Sequence, residues 1–384
     1  MKVIKLVSKN TFRHRLRTFL TILGLAIAVM SFAVIRTSIE AWYAGSKSAS
    51  PNRLITINKV SLNFSLPLAY LEKIKKIEGV TDATPQQWFG GIYIDAKNFF
   101  AQFAVIPENH FEFYPEFVIT ADEYENFKSQ RNAVIVGRKI ADEYGWSVGN
   151  PIRLIGTIFP GDWDFVIAGI YTGAEEINDE RRWFMHYSYL DERMKIESPN
   201  RAGRVGSFVV KIDDPLKASQ ISSNIDNMFE NSLAETLTQT EEAFQLSFVD
   251  MVQSIVTGLQ IISIMVIGII LLVLANTMAM TARERISEYS VLKTLGFRTK
   301  HIIGLILAES LFIAFVGGVL GLALTIPSVA LLKTALTQFP VFVVTLKTLV
   351  LAFSAAILVG FLAAIFPGYK ALKTPIVDGL RIID

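Results

Sequence analysis

The chain has 384 residues, with 37 Lys and Arg against 35 Asp and Glu, and no cysteine. Only 19% of the residues are charged while 51% are hydrophobic, below the charged share of about 25% usual in soluble domains. This excludes a disulfide framework, a thiolate zinc site and a cysteine nucleophile, and it points to membrane insertion rather than to a large soluble core.

Residues 1–18 carry Lys2, Lys5, Lys9, Arg13, Arg15 and Arg17 and read as a basic amphipathic helix. "FLTILGLAIAVMSFAVIRTSI" follows, and residues 19–41 form the first predicted span, with Arg36 near its far end. It is too long for the apolar region of a signal peptide and no small-residue cleavage site stands out after it, so it reads as a retained anchor.

Residues 42–245 are patterned as a globular α+β domain. "RLITINKV" alternates like a strand, and "PLAYLEKIKKIEGV" reads as a helix opening at Pro67, with an apolar stripe at Leu68, Leu71, Ile74 and Ile77 and a stop at Gly79. "GGIYIDA" and "FFAQFAVI" predict two strands joined by a turn, giving a half-buried sheet with a helix on one face. A second unit runs from the strand "AVIVG" through the helix "RKIADEYG" to the strands "NPIRLIG" and "DFVIAGIY". "GSFVVKID" adds a strand. From Pro215 a long helical stretch with a break near Asn231-Ser232 predicts a stalk continuous with the second span.

The second span, within residues 246–282, is followed by a charged loop at 283–301, a third span at 302–333, a fourth at 343–367 and a tail at 368–384. Each span offers the roughly 20 apolar residues that a bilayer requires. Residues 42–245 hold 20 basic and 28 acidic residues, net −8, leaving 17 basic and 7 acidic elsewhere. The excess of Lys and Arg beside the spans places both termini and the 283–301 loop in the cytoplasm and the 42–245 domain outside. Beside a span, the basic N-terminus needs no nucleic-acid partner.

No catalytic set emerges. His14, His110, His186 and His301 are scattered, without metal-ligand spacing. "GAEEINDERRW" clusters Glu175, Glu176, Asp179 and Glu180 but lacks the alternating ligands and turn glycine of a calcium loop, and reads as a solvated loop. Trp88, Trp146, Trp163 and Trp183 read as core. No phosphate-cradling Gly-x-x-x-x-Gly-Lys-Ser/Thr is present. No metal site, substrate site or bound cofactor can be assigned. Glu309 is the lone acid of the third span, expected near its cytoplasmic end in a structural or coupling role.

The loop is the informative segment. Ile286, Tyr289 and Leu292 recur every three residues along a helix expected over Ile286–Leu295, with Gly296 as its stop. Arg283, Glu284, Arg285 and Glu288 lie largely off that apolar edge. Two readings stand: an amphipathic helix on lipid headgroups, disfavoured by its mixed charge, or a docking helix for a cytoplasmic partner.

The segment "RERISEYSVLKTLGFRTKHIIGLILAESLFIAFVGGVLGLAL" resembles the FtsX-type permease module of the MacB/FtsX/LolCDE ABC superfamily. The resemblance is carried by Arg283-Glu284, Leu292-Lys293-Thr294-Leu295-Gly296, Glu309, and Gly317, Gly318 and Gly321. His14–Val29 is similar to that family's first span, and "YGWSVGNPIRL" to a recurrent piece of MacB-like outer domains. The resemblance implies a membrane protein with four transmembrane helices, one N-terminal and three C-terminal, and a large α+β extracytoplasmic domain on helical stalks. That domain would have two lobes, roughly 50–120 plus 205–230 and 130–200.

It further implies a non-catalytic permease subunit of the bacterial inner membrane. Two copies of a separate ABC ATPase would bind ATP and Mg, and a second permease subunit would complete a homodimer or heterodimer, with a membrane fusion protein or outer-membrane factor as further candidate partners. Arg283, Glu284, Arg285, Glu288, Leu292, Lys293, Leu295 and Gly296 would couple to the ATPase, and Gly317, Gly318 and Gly321 would pack the spans. Mechanotransmission would then drive export or extraction of a substrate; the alternative is an FtsX-like transducer controlling a cell-wall hydrolase.

Overall fold

The computed structural model describes residues 15–335 and 341–373. The basic segment before Arg15 and the tail beyond Lys373 lie outside the described residues. The chain forms two compact units, one holding the chain up to Ala41 and most of it from Val252 onward, the other built on Trp42–Met251.

Among the described residues of the first unit four helices, Arg15–Trp42, Gln253–Glu284, Thr299–Ala335 and Leu346–Lys373, are long and apolar enough to cross a membrane. Within hydrocarbon only an intrahelical ladder satisfies the backbone of such a segment, so composition dictates helix. They pack through Leu25, Val29, Leu274, Ile313, Ala314, Ala356 and Ala363. Small residues set the approach. A Cβ on Gly317 would come within 2.8 Å of Leu25, one on Gly321 within 2.7 Å of the Ala26 carbonyl, and one on Gly318 3.3 Å from Ala356. These are the three glycines expected to pack the spans. The Ser310 hydroxyl donates to the Gly360 carbonyl at 2.6 Å.

The second unit is built on β1 (Arg53–Asn58), β2 (Leu66–Pro67), β3 (Val80–Trp88), β4 (Gly91–Ile92), β5 (Ala101–Val105), β6 (Phe117–Val118) and β7 (Ala133–Gly137). It continues with β8 (Pro151–Gly156), β9 (Gly161–Gly173), β10 (Arg182–His186), β11 (Arg204–Val205), β12 (Ser207–Ile212) and β13 (Thr236–Thr240). One sheet runs β13-β1-β12-β3-β5-β10-β7-β9-β8-β4, with β6 paired to β9. The two expected lobes therefore share a single sheet. Parallel pairing of β5 with β10, Phe103 opposite Phe184, joins them.

The expected helix on one face is corrected to cover on both. Alternate residues of the same strands enter two cores: Val134 and Val136 join one, Ala133 and Ile135 the other. The first core is closed by helices Tyr70–Ile74, Arg138–Tyr144, Tyr187–Glu197 and Ala218–Met228, the second by His110–Phe113 and Ala121–Ser129. Unbroken apolar runs such as "AVIVG" are what a strand buried on both faces requires.

Three local expectations change. Pro67 ends β2, paired with β11, and the helix begins only at Tyr70. "GGIYIDA" supplies only the two residues of β4, which pair with β8 rather than with a hairpin partner. The nine-residue β3, "VTDATPQQW", carries Asp82, Pro85 and two glutamines, which hide it from a period-2 reading, and it lies between β12 and β5. The stretch after Pro215 is not helical throughout. Thr236–Thr240 forms β13 against β1, as its β-branched threonines favour. Asp226 holds this outermost strand, accepting from the Thr238 amide at 3.0 Å and from the Thr236 and Thr238 hydroxyls at 2.8 Å. Helix Glu241–Met251 follows and is separated from Gln253–Glu284 by Val252 (φ −113°, ψ 15°), so the expected stalk is not one uninterrupted helix.

Candidate functional site

The second membrane helix ends at Glu284. Arg285 (φ −104°, ψ 13°) joins it to a short helix, Ile286–Thr294. Gly296 stops that helix by adopting φ +86°. The Phe297 amide donates to the Leu292 carbonyl at 3.1 Å and the Gly296 amide to the Lys293 carbonyl at 3.1 Å, the paired closure of a left-handed C-terminal cap. Nothing lies within 4 Å of a Cβ built on Gly296, so the backbone conformation, not space, calls for glycine there.

The apolar edge faces the unit's own helices. Tyr289 is buried in a cluster with Ala282, Ile302, Ile306 and Ala364, and Leu292 packs half-buried against it. Burial raises the Tyr289 hydroxyl to about 12, so it stays neutral. Arg285, expected off the edge, is also buried, and its guanidinium meets the Glu309 carboxylate of the third membrane helix at 3.0 Å. Both side chains are nearly sequestered, at 6% and 7% exposure. Glu288 approaches the same guanidinium at 3.9 Å. Glu284 accepts a two-pronged contact from Arg17 of the first membrane helix, at 2.8 and 2.7 Å. Two arginine–carboxylate pairs thus tie the loop's first residues to the first and third membrane helices.

The opposite side is open. Leu295 is 70% exposed, Phe297 50% and Val291 44%, with Arg283 and Glu288 also exposed and Lys293 half-buried. The structure therefore divides the expected coupling residues. Arg285 and Leu292 anchor the loop inward, whereas Leu295 looks outward. Val291 and Phe297 belong to the outward face and were not singled out by their spacing, because the cap that turns Phe297 beside the helix is a three-dimensional feature. The Arg17–Glu284 pair spans 267 positions and leaves no local signal.

Among the described residues no three His, Cys, Asp or Glu side chains gather as a metal site. His110 is fully buried among Phe111, Tyr114 and Phe184, and burial lowers its imidazole to about 3. His186 shares a 2.6 Å hydrogen bond with the Phe127 carbonyl. Trp146, Trp163 and Trp183 are core residues. The "GAEEINDERRW" loop leaves Glu175 and Glu176 exposed, as a solvated loop would, but ties its later residues to the domain. Asn178 is buried and accepts from the Glu175 amide at 2.7 Å, Glu180 accepts from the Gly173 amide at 2.9 Å, and Asp179 pairs with Arg182 at 2.9 Å.

Two family models match the chain. The MacB-like periplasmic core domain covers residues 18–228, more than half of it, and the FtsX-like permease C-terminal model covers residues 260–376. An uncharacterized ABC transporter permease of Methanocaldococcus jannaschii is 24% identical over 99% of this chain and 97% of its own length. The pyoverdine export ATP-binding/permease protein PvdT of Pseudomonas fluorescens is 24% identical over 96% of this chain, which spans only 57% of that protein. Among solved structures, the periplasmic region of MacB from Actinobacillus actinomycetemcomitans aligns with 53% of this chain and 94% of its own length, at 12% identity and a TM-score of 0.39. With four helices able to span a membrane, an outer α+β domain and both family modules in order, the chain belongs to the MacB/FtsX-type ABC transporter permeases.

Proposed function

We propose that this chain is the membrane subunit through which a separate ABC ATPase moves an extracytoplasmic domain. One observation carries the reading: the 283–301 loop is anchored inward by Arg285–Glu309, Tyr289 and Leu292 while it offers Val291, Leu295 and Phe297 outward. Exposed apolar side chains on a loop that also carries Arg283, Glu288 and Lys293 suit a groove on a protein partner better than a lipid surface, which favours basic neighbours. The charge asymmetry supports a cytoplasmic loop, cytoplasmic termini and an outer Trp42–Gln245 domain, and this reading takes the membrane to be a bacterial inner membrane.

In this reading two permease subunits, identical or paired with a similar chain, bind two ATPases, and ATP and Mg sit on those ATPases. Their closure displaces the loop, and the helices leading to the outer domain carry the displacement outward. The work done is export or extraction of a substrate from outside the membrane, with a membrane fusion protein or outer-membrane factor as a further partner. PvdT is a pyoverdine exporter by name, and likeness to it supports the export reading over a transducer of cell-wall hydrolysis. The test is co-purification of the tagged chain with its ATPase and measurement of ATP turnover. The pair should turn over ATP and the chain alone should not. A chain that recruits no ATPase, or that hydrolyses ATP when free of one, overturns the reading.

A further inference from the structure

Residues Trp42–Met251 are entered from the first membrane helix and left toward the second, through an incoming and an outgoing segment of chain. Both pass through one buried charge cluster. Arg53, the first residue of β1, is 3% exposed. Its Nε donates to Glu241 Oε2 at 2.7 Å, and Glu241 is the first residue of the outgoing helix Glu241–Met251. The same carboxylate oxygen accepts from the Ser50 amide of the incoming segment at 2.9 Å. The other end of the guanidinium forks onto Glu116, at 2.6 and 3.1 Å, donates to the Phe113 carbonyl at 2.7 Å, and lies 4.4 Å from the centre of the Tyr114 ring. Incoming strand, outgoing helix and the 113–117 segment of the domain body thus share one cation.

A second contact reinforces the first. Gly45, in the incoming helix Ala44–Lys47, sits where its Cβ would be 3.0 Å from Gln245 Oε1 and 3.9 Å from Gln245 Cβ. A buried arginine with two carboxylates is weak evidence for stability, because desolvation offsets most of the Coulombic gain, and its best-attested use is to specify one arrangement. Here that arrangement fastens the two connections to each other.

We propose that the Arg53–Glu241–Glu116 cluster is a joint that makes the incoming and outgoing segments one lever, so that they never separate while the outer domain is driven. The mechanical part of this proposal rests on the ATPase-driven reading above; the joint itself does not. Arg53 acts as a positioning residue.

The test uses the full chain, which has no cysteine, carrying Gly45→Cys and Gln245→Cys. A Cβ separation of 3.9 Å suits a disulfide without backbone movement. Cross-linking in membranes should be fast and complete. Adding Arg53→Gln should slow it at least tenfold while outer-domain tryptophan fluorescence stays native; if that variant unfolds, Glu116→Gln serves instead, with at least a threefold slowing. Failure of both cysteines to cross-link, or an unchanged rate in the folded variants, overturns the joint. In the complex with the ATPase, oxidised and reduced forms should turn over ATP within about 1.5-fold of each other. A fivefold loss on oxidation, restored by reductant, would show that the segments part during the cycle and would overturn the lever. Turnover that ignores the permease would sink the coupling reading alone, because the cross-linking rates judge the joint without the ATPase.

Discussion

Leu292 and Leu295 are three residues apart on the same short loop, yet the structure assigns them different work. Leu292→Asp places a carboxylate beside the buried Tyr289–Ile302–Ile306 cluster. A half-buried, unpaired charge there costs the subunit itself several kcal/mol. Leu295 is 70% exposed, so Leu295→Asp should change the free subunit's stability by no more than about 0.5 kcal/mol. If an ATPase groove covers Leu295, the aspartate becomes a buried charge only in the complex. A penalty of about 3 kcal/mol there is roughly a 100-fold loss of affinity, at about 1.4 kcal/mol per decade. The assay is ATPase co-purification beside detergent-solubilised melting, at matched membrane expression. Leu295→Asp should melt like wild type and lose the ATPase, whereas Leu292→Asp should melt lower. Equal ATPase recovery with Leu295→Asp, with ATP turnover unchanged, would mean that the outward face binds nothing and that docking lies elsewhere.

Span packing predicts that Gly321→Ala, whose new methyl would lie 2.7 Å from the Ala26 carbonyl, destabilises the membrane unit by about 1–3 kcal/mol. Gly24→Ala, with nothing within 4 Å, is the matched control, and melting of the two proteins decides. Arg285→Ala leaves the Glu309 carboxylate buried without its guanidinium and should cost about 3–5 kcal/mol in the same assay; restoration to wild type by adding Glu309→Gln would support the pair, and no loss from Arg285→Ala would refute it. An impermeant thiol reagent on cells with a permeabilised outer envelope should label Ser129→Cys and spare Thr294→Cys; the reverse pattern would invert the topology. Burial holds His110 neutral down to about 3, whereas the unfolded imidazole takes a proton near 6.5. The unfolded state therefore binds more protons between those values, and the outer domain should lose up to about 1.4 kcal/mol per pH unit as pH falls from 6.5 toward 3. His110→Phe should flatten that slope in denaturant titrations followed by tryptophan fluorescence, and an unchanged slope would place the acid sensitivity elsewhere.

Composition alone determined the membrane architecture, because a run of twenty apolar residues has only one way to satisfy its backbone in hydrocarbon. The strands "AVIVG" and "GSFVVKID" and the helix stop at Gly296 were also legible, since each rests on a local backbone preference. What escaped was decided between distant segments. β3 is too polar to announce itself, and its place between β12 and β5 makes it a strand. Thr236–Thr240 left the expected helix because β1 and Asp226 offered its backbone and hydroxyls better partners. Leu292 and Leu295 share a motif, but the left-handed cap at Gly296 and the membrane helices beneath Tyr289 decide which one turns inward. Arg53 reads as an ordinary strand-edge cation until Glu241, 188 positions away, closes on it. A short-range pattern reports how a segment buries its own backbone; the pairing of a buried charge or the exposure of one leucine depends on which remote group arrives, and only the tertiary structure supplies that.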